Sequence, residues 1–184
     1  MGMLLFLFLV LLMSTACKRT IDTFAKNIQG ETPIESADSV QYTFSDSAKK
    51  RFYLTAPQVL TFEKINKETK FIENKYRTFP KGVDIITYYE SGKEDTHLHA
   101  NSGYWYEIKQ KIIGKNGVVI TNSEGGKLET DSLIYDQRAK KIYSDAPVKI
   151  TTPTEIIQGV GFTANENFTQ YQIKNITGTI TLQK

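Results

Sequence analysis

The 184-residue chain is 40% hydrophobic and 23% charged, a composition typical of a globular domain, which excludes a disordered chain. Its formal net charge is +3, and Lys and Arg alternate with Asp and Glu instead of forming a basic face, so no nucleic-acid partner is expected. The only cysteine is Cys17, so no disulfide bond within the chain can support the fold.

The chain begins with an apolar segment, LLFLFLVLLM at residues 4–13, which is followed by the small residues STA and then by Cys17. Ten helical residues rise about 15 Å, half of a hydrocarbon core of roughly 30 Å, so a mature transmembrane helix is not expected. We predict a signal peptide at residues 1–16. The end of this segment resembles the lipobox of bacterial lipoproteins, which implies that Cys17 is lipidated. The alternative is a simple signal peptide in which Cys17 is an ordinary thiol.

Residues 17–36 show no sustained hydrophobic period and contain Gly30 and Pro33. Such a segment is predicted to be a flexible tether. Residues 37–184 remain as the folded domain.

Apolar and polar residues alternate through much of this domain, as in VQYTF at residues 40–44 and VVI at residues 118–120. Turn sequences such as KNG at residues 115–117 and SEGG at residues 123–126 separate the alternating runs. Tyr and Phe, at ten residues each, also favour strands over helices. The sequence therefore predicts an all-β domain of short antiparallel strands.

One short phrase recurs in the domain: a large aliphatic residue followed two positions later by Ala, Thr or Gly. The phrase begins at Leu54, Leu98, Leu128 and Ile157. The last two intervals are thirty and twenty-nine residues, a spacing that indicates stacked structural units. The first interval is forty-four residues, so an insertion around residues 65–81 is predicted to form a longer hairpin or loop. Stacked hairpins of about 30 residues predict two facing antiparallel sheets that curl around a shared interior, in which the phrase marks the same corner of each layer.

Catalytic and metal-binding signatures are weak. The chain contains neither a Gly-x-x-x-x-Gly-Lys-Ser/Thr loop nor a His-Glu-x-x-His motif. Ser47 and Lys50 satisfy Ser-x-x-Lys, but the companion motifs are absent. His97 and His99 share one face of a strand, where a metal site would need further ligands, and an exposed polar face is the simpler interpretation. No enzyme activity, cofactor or metal is predicted.

An apolar interior without a catalytic set favours a container or conduit. An acyl chain of a dozen carbons costs roughly 10 kcal/mol to expose to water, at about 0.8 kcal/mol per CH₂. An apolar groove would shield such chains, and unpaired sheet edges would join similar domains. From alternation we predict a lipid-binding interior formed by Val118, Ile120, Leu128, Leu133, Tyr135, Ile142, Val148, Ile150, Phe162, Tyr171 and Ile173. The predicted partner-docking edges are Val40, Tyr42, Ile176, Ile180 and Leu182.

Three motifs follow one another between residues 117 and 173. They are Leu128-x-Thr130-Asp131-x-Leu133-x-Tyr135-Asp136, Ile142-x-Ser144-Asp145-x-x-Val148 and Gly159-x-Gly161-Phe162. This span resembles the C-terminal half of the LptC family, the membrane-anchored periplasmic subunit of the lipopolysaccharide export machinery. The resemblance implies that the all-β domain is a twisted, OstA-like antiparallel β-jelly-roll. It also implies that lipopolysaccharide passes from an inner-membrane ABC transporter, through the jelly-roll interior, to a periplasmic bridge protein of the same fold. The same resemblance implies a periplasmic location in a diderm bacterium. Members of the family are often anchored by an N-terminal transmembrane helix, whereas in this chain the lipid on Cys17 is expected to hold residues 37–184 at the inner membrane.

Two other functions remain open on the residues alone. A structural or adhesive surface lipoprotein would have a closed β-sandwich and no lipid cargo. A hydrolase would need a site around residues such as Ser47 or His97.

Overall fold

The computed structural model describes residues 31–165, 168, 170–177 and 181–182. The predicted signal peptide, Cys17, most of the predicted tether and Ile180 lie outside the described residues. Every regular element in the described part is a β-strand, which confirms the all-β prediction. The strands are β1 (Glu35–Asp46), β2 (Lys49–Ile65), β3 (Ile72–Phe79), β4 (Val83–Tyr88), β5 (Glu94–Tyr106), β6 (Lys111–Asn122), β7 (Lys127–Asp136), β8 (Lys141–Thr151), β9 (Glu155–Asn165), β10 (Tyr171–Ile176) and β11 (Thr181–Leu182).

These strands form one antiparallel sheet in the order β1-β2-β3-β5-β6-β7-β8-β9-β10. Two strands lie off this path, because β4 pairs with both β2 and β5, and β11 pairs with β9. β1 begins at Glu35, inside the range predicted to be tether, and the amide of Ile34 already donates to the Thr61 carbonyl at 2.9 Å. The chain is therefore part of the sheet before residue 37.

Most of the long strands are interrupted at mid-length, and these interruptions divide the sheet into two parts. The register of the β5–β6 pair shifts between Ala100 and Ser102, and the register of the β6–β7 pair shifts between Lys115 and Val118. The β7–β8 and β8–β9 pairs shift in the same way. On one side of the interruptions β2 pairs with β4, and on the other side it pairs with β3. We call the part that contains β4 the first sheet and the part that contains β3 the second sheet.

Apolar residues of the two sheets form a single buried cluster. Leu128 and Ile150 come from the first sheet, and Leu133 and Ile142 come from the second. Since residues of both sheets belong to one packed core, the two sheets face each other around it. The jelly-roll prediction is confirmed.

Small residues occupy the bend. The third residue of the repeated phrase is Ala56, Ala100, Thr130 or Gly159, and all four are buried. A Cβ on Gly114 would lie 3.3 Å from the Ala100 Cβ, which leaves no space for a larger side chain there. The phrase therefore marks the corner where the two sheets converge.

Buried hydroxyl groups satisfy the backbone at the same corner. The Thr130 hydroxyl donates to the Pro147 carbonyl at 2.8 Å and lies 3.3 Å from the Ser144 hydroxyl oxygen. The Ser144 oxygen accepts from the Ala146 amide at 3.1 Å. A register shift breaks the ladder of backbone hydrogen bonds, so buried groups beside it need such partners.

The longer first interval contains an additional pair of short strands. Residues 66–71 form the turn of the β2–β3 hairpin, as predicted for the insertion. β3 and β4 are separated by residues 80–82 and pair in different sheets. Together they take the position of one bent strand.

Candidate functional site

The predicted interior residues lie mostly in the core between the two sheets. Eight of them are buried: Val118, Ile120, Leu128, Leu133, Ile142, Val148, Ile150 and Phe162. Tyr135 and Ile173 are half-buried and pack against this core. These positions place an apolar interior where the sequence predicted one, and their contact with lipid stays a prediction.

Tyr171 differs from the other predicted interior residues because 42% of its surface is exposed. Its ring lies 6.2 Å from that of Phe162, measured between centroids, so it reaches the core from its rim. β10 pairs only with β9 among the described strands, and no further strand covers Tyr171. Tyr171 pairs with the buried Ala164 and so lies on the inward face, at the exposed rim of the interior, and its contact with lipid stays a prediction.

Leu128 and Leu133 show how the bend determines which side chains point inward. They are five residues apart, and on an uninterrupted strand they would face opposite sides of the sheet. The register shift between Thr130 and Ile134 reverses the alternation, so both leucines are buried. Alternation within each short run predicts both positions, but it does not predict the shift between them.

Several core residues of the first repeat unit were absent from the predicted set. Leu54, Phe79 and Val83 are buried, and Trp105 is half-buried against the core. The repeated phrase contained a signal for Leu54, since it starts the phrase in the same way as Leu128 does. No comparable signal marks Phe79 or Val83, which flank the turn between β3 and β4.

The centre of the interior is filled by the protein's own side chains. Ala100 is 0% exposed, and Val118 and Phe162 are each 1% exposed. Toward the β1 edge the interior opens, because Tyr42 and Phe44 are 45% and 44% exposed. Both rings contact Phe52, which packs against the core, with centroid distances of 5.7 and 5.4 Å. An aromatic rim thus connects the core to solvent along β1.

Charged pairs mark another boundary of the interior, at one end of the second sheet. Arg77 forms an ion pair with Glu107, and its guanidinium carbon lies 5.2 Å from the centre of the Trp105 ring. Lys75 and Glu63 pair at 3.1 Å on the neighbouring strands. The apolar interior therefore ends in paired charges here, whereas it ends in exposed aromatic rings at β1.

The two predicted docking edges lie at opposite ends of the strand order. β1 pairs only with β2, and β10 pairs only with β9, within the described ranges. On these edges Val40 is half-buried, Tyr42 is exposed and Ile176 is 56% exposed. The backbone of Leu182 pairs with Glu155 in β11. Whether partners dock at these edges stays a prediction.

His97 and His99 lie on the outer face of the first sheet beside Asp84. The Asp84 carboxylate lies 2.9 Å from Nδ1 of His99 and 3.4 Å from Nε2 of His97. Nε2 of His99 contacts the Asn101 side-chain oxygen at 3.2 Å. No cluster of three or more His, Cys, Asp or Glu residues suited to a metal ion occurs in the described part of the chain. The two histidines therefore form a polar surface group with one carboxylate.

We expect the pKa of His99 to lie above its ordinary value, because its hydrogen bond to Asp84, and then that to Asn101, favours the protonated ring. A raised pKa means that the contact stabilises the fold fully below about pH 6.5 and that this contribution is lost as the pH rises through the raised pKa. The effect on stability is small, since the side chain is 44% exposed. An NMR titration should show the raised pKa, and Asp84→Asn should lower it while Asp95→Asn leaves it unchanged. An unchanged pKa in Asp84→Asn would contradict this assignment.

The fold and the site together define an antiparallel β-jelly-roll with one continuous apolar interior, an aromatic rim and, among the described strands, an edge strand at each end of the strand order. The sequence matches the family model described as "Lipopolysaccharide-assembly, LptC-related" over residues 3–181, so the chain belongs to the LptC family. The family predicted from the motifs is thereby confirmed. No curated protein matches the sequence.

Membership of this family assigns the protein to lipopolysaccharide transport in the bacterial envelope, as a component that interacts with lipopolysaccharide and with other parts of the Lpt system. Within the described ranges, no helical segment has the length and hydropathy of a membrane span.

Proposed function

We propose that this protein receives lipopolysaccharide from the inner-membrane ABC transporter and passes it through the jelly-roll interior to a periplasmic bridge protein of the same fold. A lipid on Cys17 anchors the domain at the inner membrane during this transfer. The protein acts by burial and relay and performs no bond chemistry. The single observation that carries the proposal is the continuous apolar core shared by the two sheets.

The dimensions of this core suit an acyl chain. From β2 through β4 to β9 the first sheet contains six strand spacings, which amount to about 29 Å at about 4.8 Å each. A lipid leaflet provides about half of the roughly 30 Å hydrocarbon thickness of a bilayer for one acyl chain. The interior is therefore long enough to cover an acyl chain along its whole length.

The exposed aromatic rim supports entry from the side. The centre of the core is closed by its own side chains, so acyl chains must displace packed residues to enter. Displacement is easiest where packing is incomplete, and Tyr42 and Phe44 are apolar rings that solvent already reaches. We therefore place the opening along β1, with the charged headgroup remaining in water.

Photo-crosslinking in living cells tests this function. A benzophenone amino acid replaces Tyr42 at the rim or Tyr135 at the core, and Tyr53 is the control because it lies on the outer face of β2, between the buried Leu54 and half-buried Phe52 of the inner face. All three substitutions replace one aromatic ring with another. We expect lipopolysaccharide adducts at Tyr42 and Tyr135 and none at Tyr53. Equal adduct formation at all three positions, or none in folded and anchored protein, would favour a structural lipoprotein with a closed sandwich.

The β10 edge is the proposed contact for the bridge protein. The Thr177 amide donates to the Gln158 carbonyl at 2.9 Å, and Asn175 pairs with Val160 in the same register. Since hydrogen-bonded and free amides alternate along an edge strand, the amide of Ile176, next to Thr177, points away from β9. An incoming strand would bind these outward amides.

We expect Ile176→Pro to prevent capture of the bridge protein in a pull-down while the domain stays folded, because proline removes an outward amide without breaking a bond to β9. Ile176→Ala is the matched control and should capture the bridge protein, since it shortens the same side chain and keeps the amide. Normal capture by Ile176→Pro would show that the bridge protein does not add to this edge.

A further inference from the structure

The outer faces of the two sheets differ in chemistry. On the first sheet, the outward positions of neighbouring strands mix polar and charged residues such as Asp84, His99 and Glu129 with single apolar residues such as Val119. On the second sheet, the outward positions form an apolar and aromatic strip across five strands. We call this strip the outer band, and it consists of Tyr76, Tyr104, Tyr106, Ile113, Ile134 and Tyr143.

The register shows that the outer band does not belong to the core. Ile134 lies between Leu133 and Tyr135, both of which pack into the interior, so it points the other way. Tyr104 and Tyr106 likewise flank the inward Trp105. The rings are also in contact along the band, with centroids of Tyr76 and Tyr106 at 5.4 Å. The protein thus carries a second apolar surface on the outside of one sheet.

The N-terminal end of the described chain already covers the start of this surface. Glu31 accepts a hydrogen bond from the Tyr76 hydroxyl, and Pro33 is buried. Phe62, which stacks on Tyr76 at 5.1 Å, is only 1% exposed. From the β1 edge, the chain followed backwards from residue 34 to residue 31 therefore passes onto the outer face of β2 and β3.

Glu31 also lies near the next ring of the band, that of Tyr106. The pKa of the Tyr106 phenol is raised by burial first, and then by the charges of Tyr104 and Glu31. Tyr106 lies on β5, the next strand of the second sheet beyond β3. Glu31 therefore lies near the line along which the band continues over β5 to β8.

We propose that the residues just before Glu31, within 20–30, bind across the outer band and fasten the N-terminal segment to the outside of the second sheet. From β3 to β8 the band crosses four strand spacings, about 19 Å. Six extended residues span about 20 Å, so the chain from residue 30 back to about residue 24 has the required length. This stretch contains Phe24 and Ile28, whose apolar side chains match the Tyr and Ile residues of the band.

Bound in this way, residues 20–30 form a strap that orients the folded domain, and they no longer act as a free spacer. Only about seven residues would then separate the sheet from Cys17, which limits the reach to about 25 Å. The second sheet would face the anchor, and the interior would keep one orientation to the membrane. This last consequence rests on the anchor of the proposed function, whereas the binding itself does not.

Photo-crosslinking of the full-length protein in cells tests the strap. A benzophenone amino acid replaces Tyr143 at the far end of the outer band, and Tyr53 on the outer face of the first sheet is the aromatic control. Purified adducts are digested, and the crosslinked peptides are identified by mass spectrometry. We expect the Tyr143 position to join a peptide from residues 20–30 of the same chain, and the Tyr53 position to form no such link. Coexpression of two differently tagged copies separates links within a chain from links between chains.

Two aspartate variants test whether the Tyr143 adduct depends on the apolar side chain of Phe24. Phe24→Asp should lower the Tyr143 adduct several-fold, whereas Thr23→Asp, one residue away, should leave most of it. Neither variant alters the described core. The proposal is overturned if Tyr143 joins another copy, lipopolysaccharide or a different protein, if it forms no adduct, or if the two aspartate variants behave alike. Lipopolysaccharide adducts at Tyr42 and Tyr135 are scored independently, so failure of the strap and failure of the transport function give different results.

Discussion

Gly159→Ala should detach β10 from the sheet. A Cβ at this position would lie 2.4 Å from the Asn175 carbonyl oxygen and 2.4 Å from Cγ2 of Ile173, both on β10. Because one of these atoms belongs to the backbone, the clash cannot be relieved by a change of rotamer. We expect a loss of about 2–3 kcal/mol in the free energy of unfolding, which corresponds to a decrease of about 4–12 °C in Tm. Thermal unfolding measures the loss, and amide hydrogen exchange at Ile173 and Asn175 locates it.

Gly92→Ala is the control for the glycine substitution. A Cβ on Gly92 would meet no atom within 4 Å, but its φ of +85° is unfavourable for alanine. We therefore expect a backbone penalty of about 1 kcal/mol with normal exchange in β10. If Gly159→Ala behaved like Gly92→Ala, the close approach of β9 and β10 would be contradicted. Loss of β10 should also remove capture of the bridge protein, which connects this packing contact to the proposed docking edge.

Phe162→Ala should cost about 3–5 kcal/mol in the free energy of unfolding. The side chain is 1% exposed, and its ring centroid lies 6.2 Å from those of both Phe168 and Tyr171. Truncation removes buried apolar area and leaves a cavity between the two sheets, and both effects destabilise the folded state. Denaturant unfolding should show a lower midpoint with a similar slope.

Phe71→Ala is the matched control, since Phe71 is 76% exposed at the tip of the β2–β3 hairpin. We expect its free energy of unfolding to remain within about 0.5 kcal/mol of the wild-type value. Phe162→Leu should recover part of the loss, because it refills much of the cavity. Similar stabilities for Phe162→Ala and Phe71→Ala would mean that Phe162 is not packed between the sheets.

The sequence predicted which side chains share a face of a strand, and where the repeated phrase marks a corner, because both are local properties. Alternation over a few residues fixes which side chains share a face, and this placed Val118 with Ile120 and Val148 with Ile150 in the core. The spacing of the phrase also located the small residues at the corner, since the space for side chains is limited wherever the two sheets converge. The family followed from the order of the motifs between residues 117 and 173.

Features that depend on pairing between distant strands were decided only by the tertiary structure. The shift that brings Leu128 and Leu133 to one side needs the register of β7 against β8. Tyr171 is exposed because β10 lies at the end of the strand order, which its own alternation does not reveal. Asp84 joins His99 from a neighbouring strand. The sequence by itself thus determined local faces and their repeat, whereas register, edges and the outer band required the three-dimensional pairing of the strands, since these depend on residues far apart in the chain.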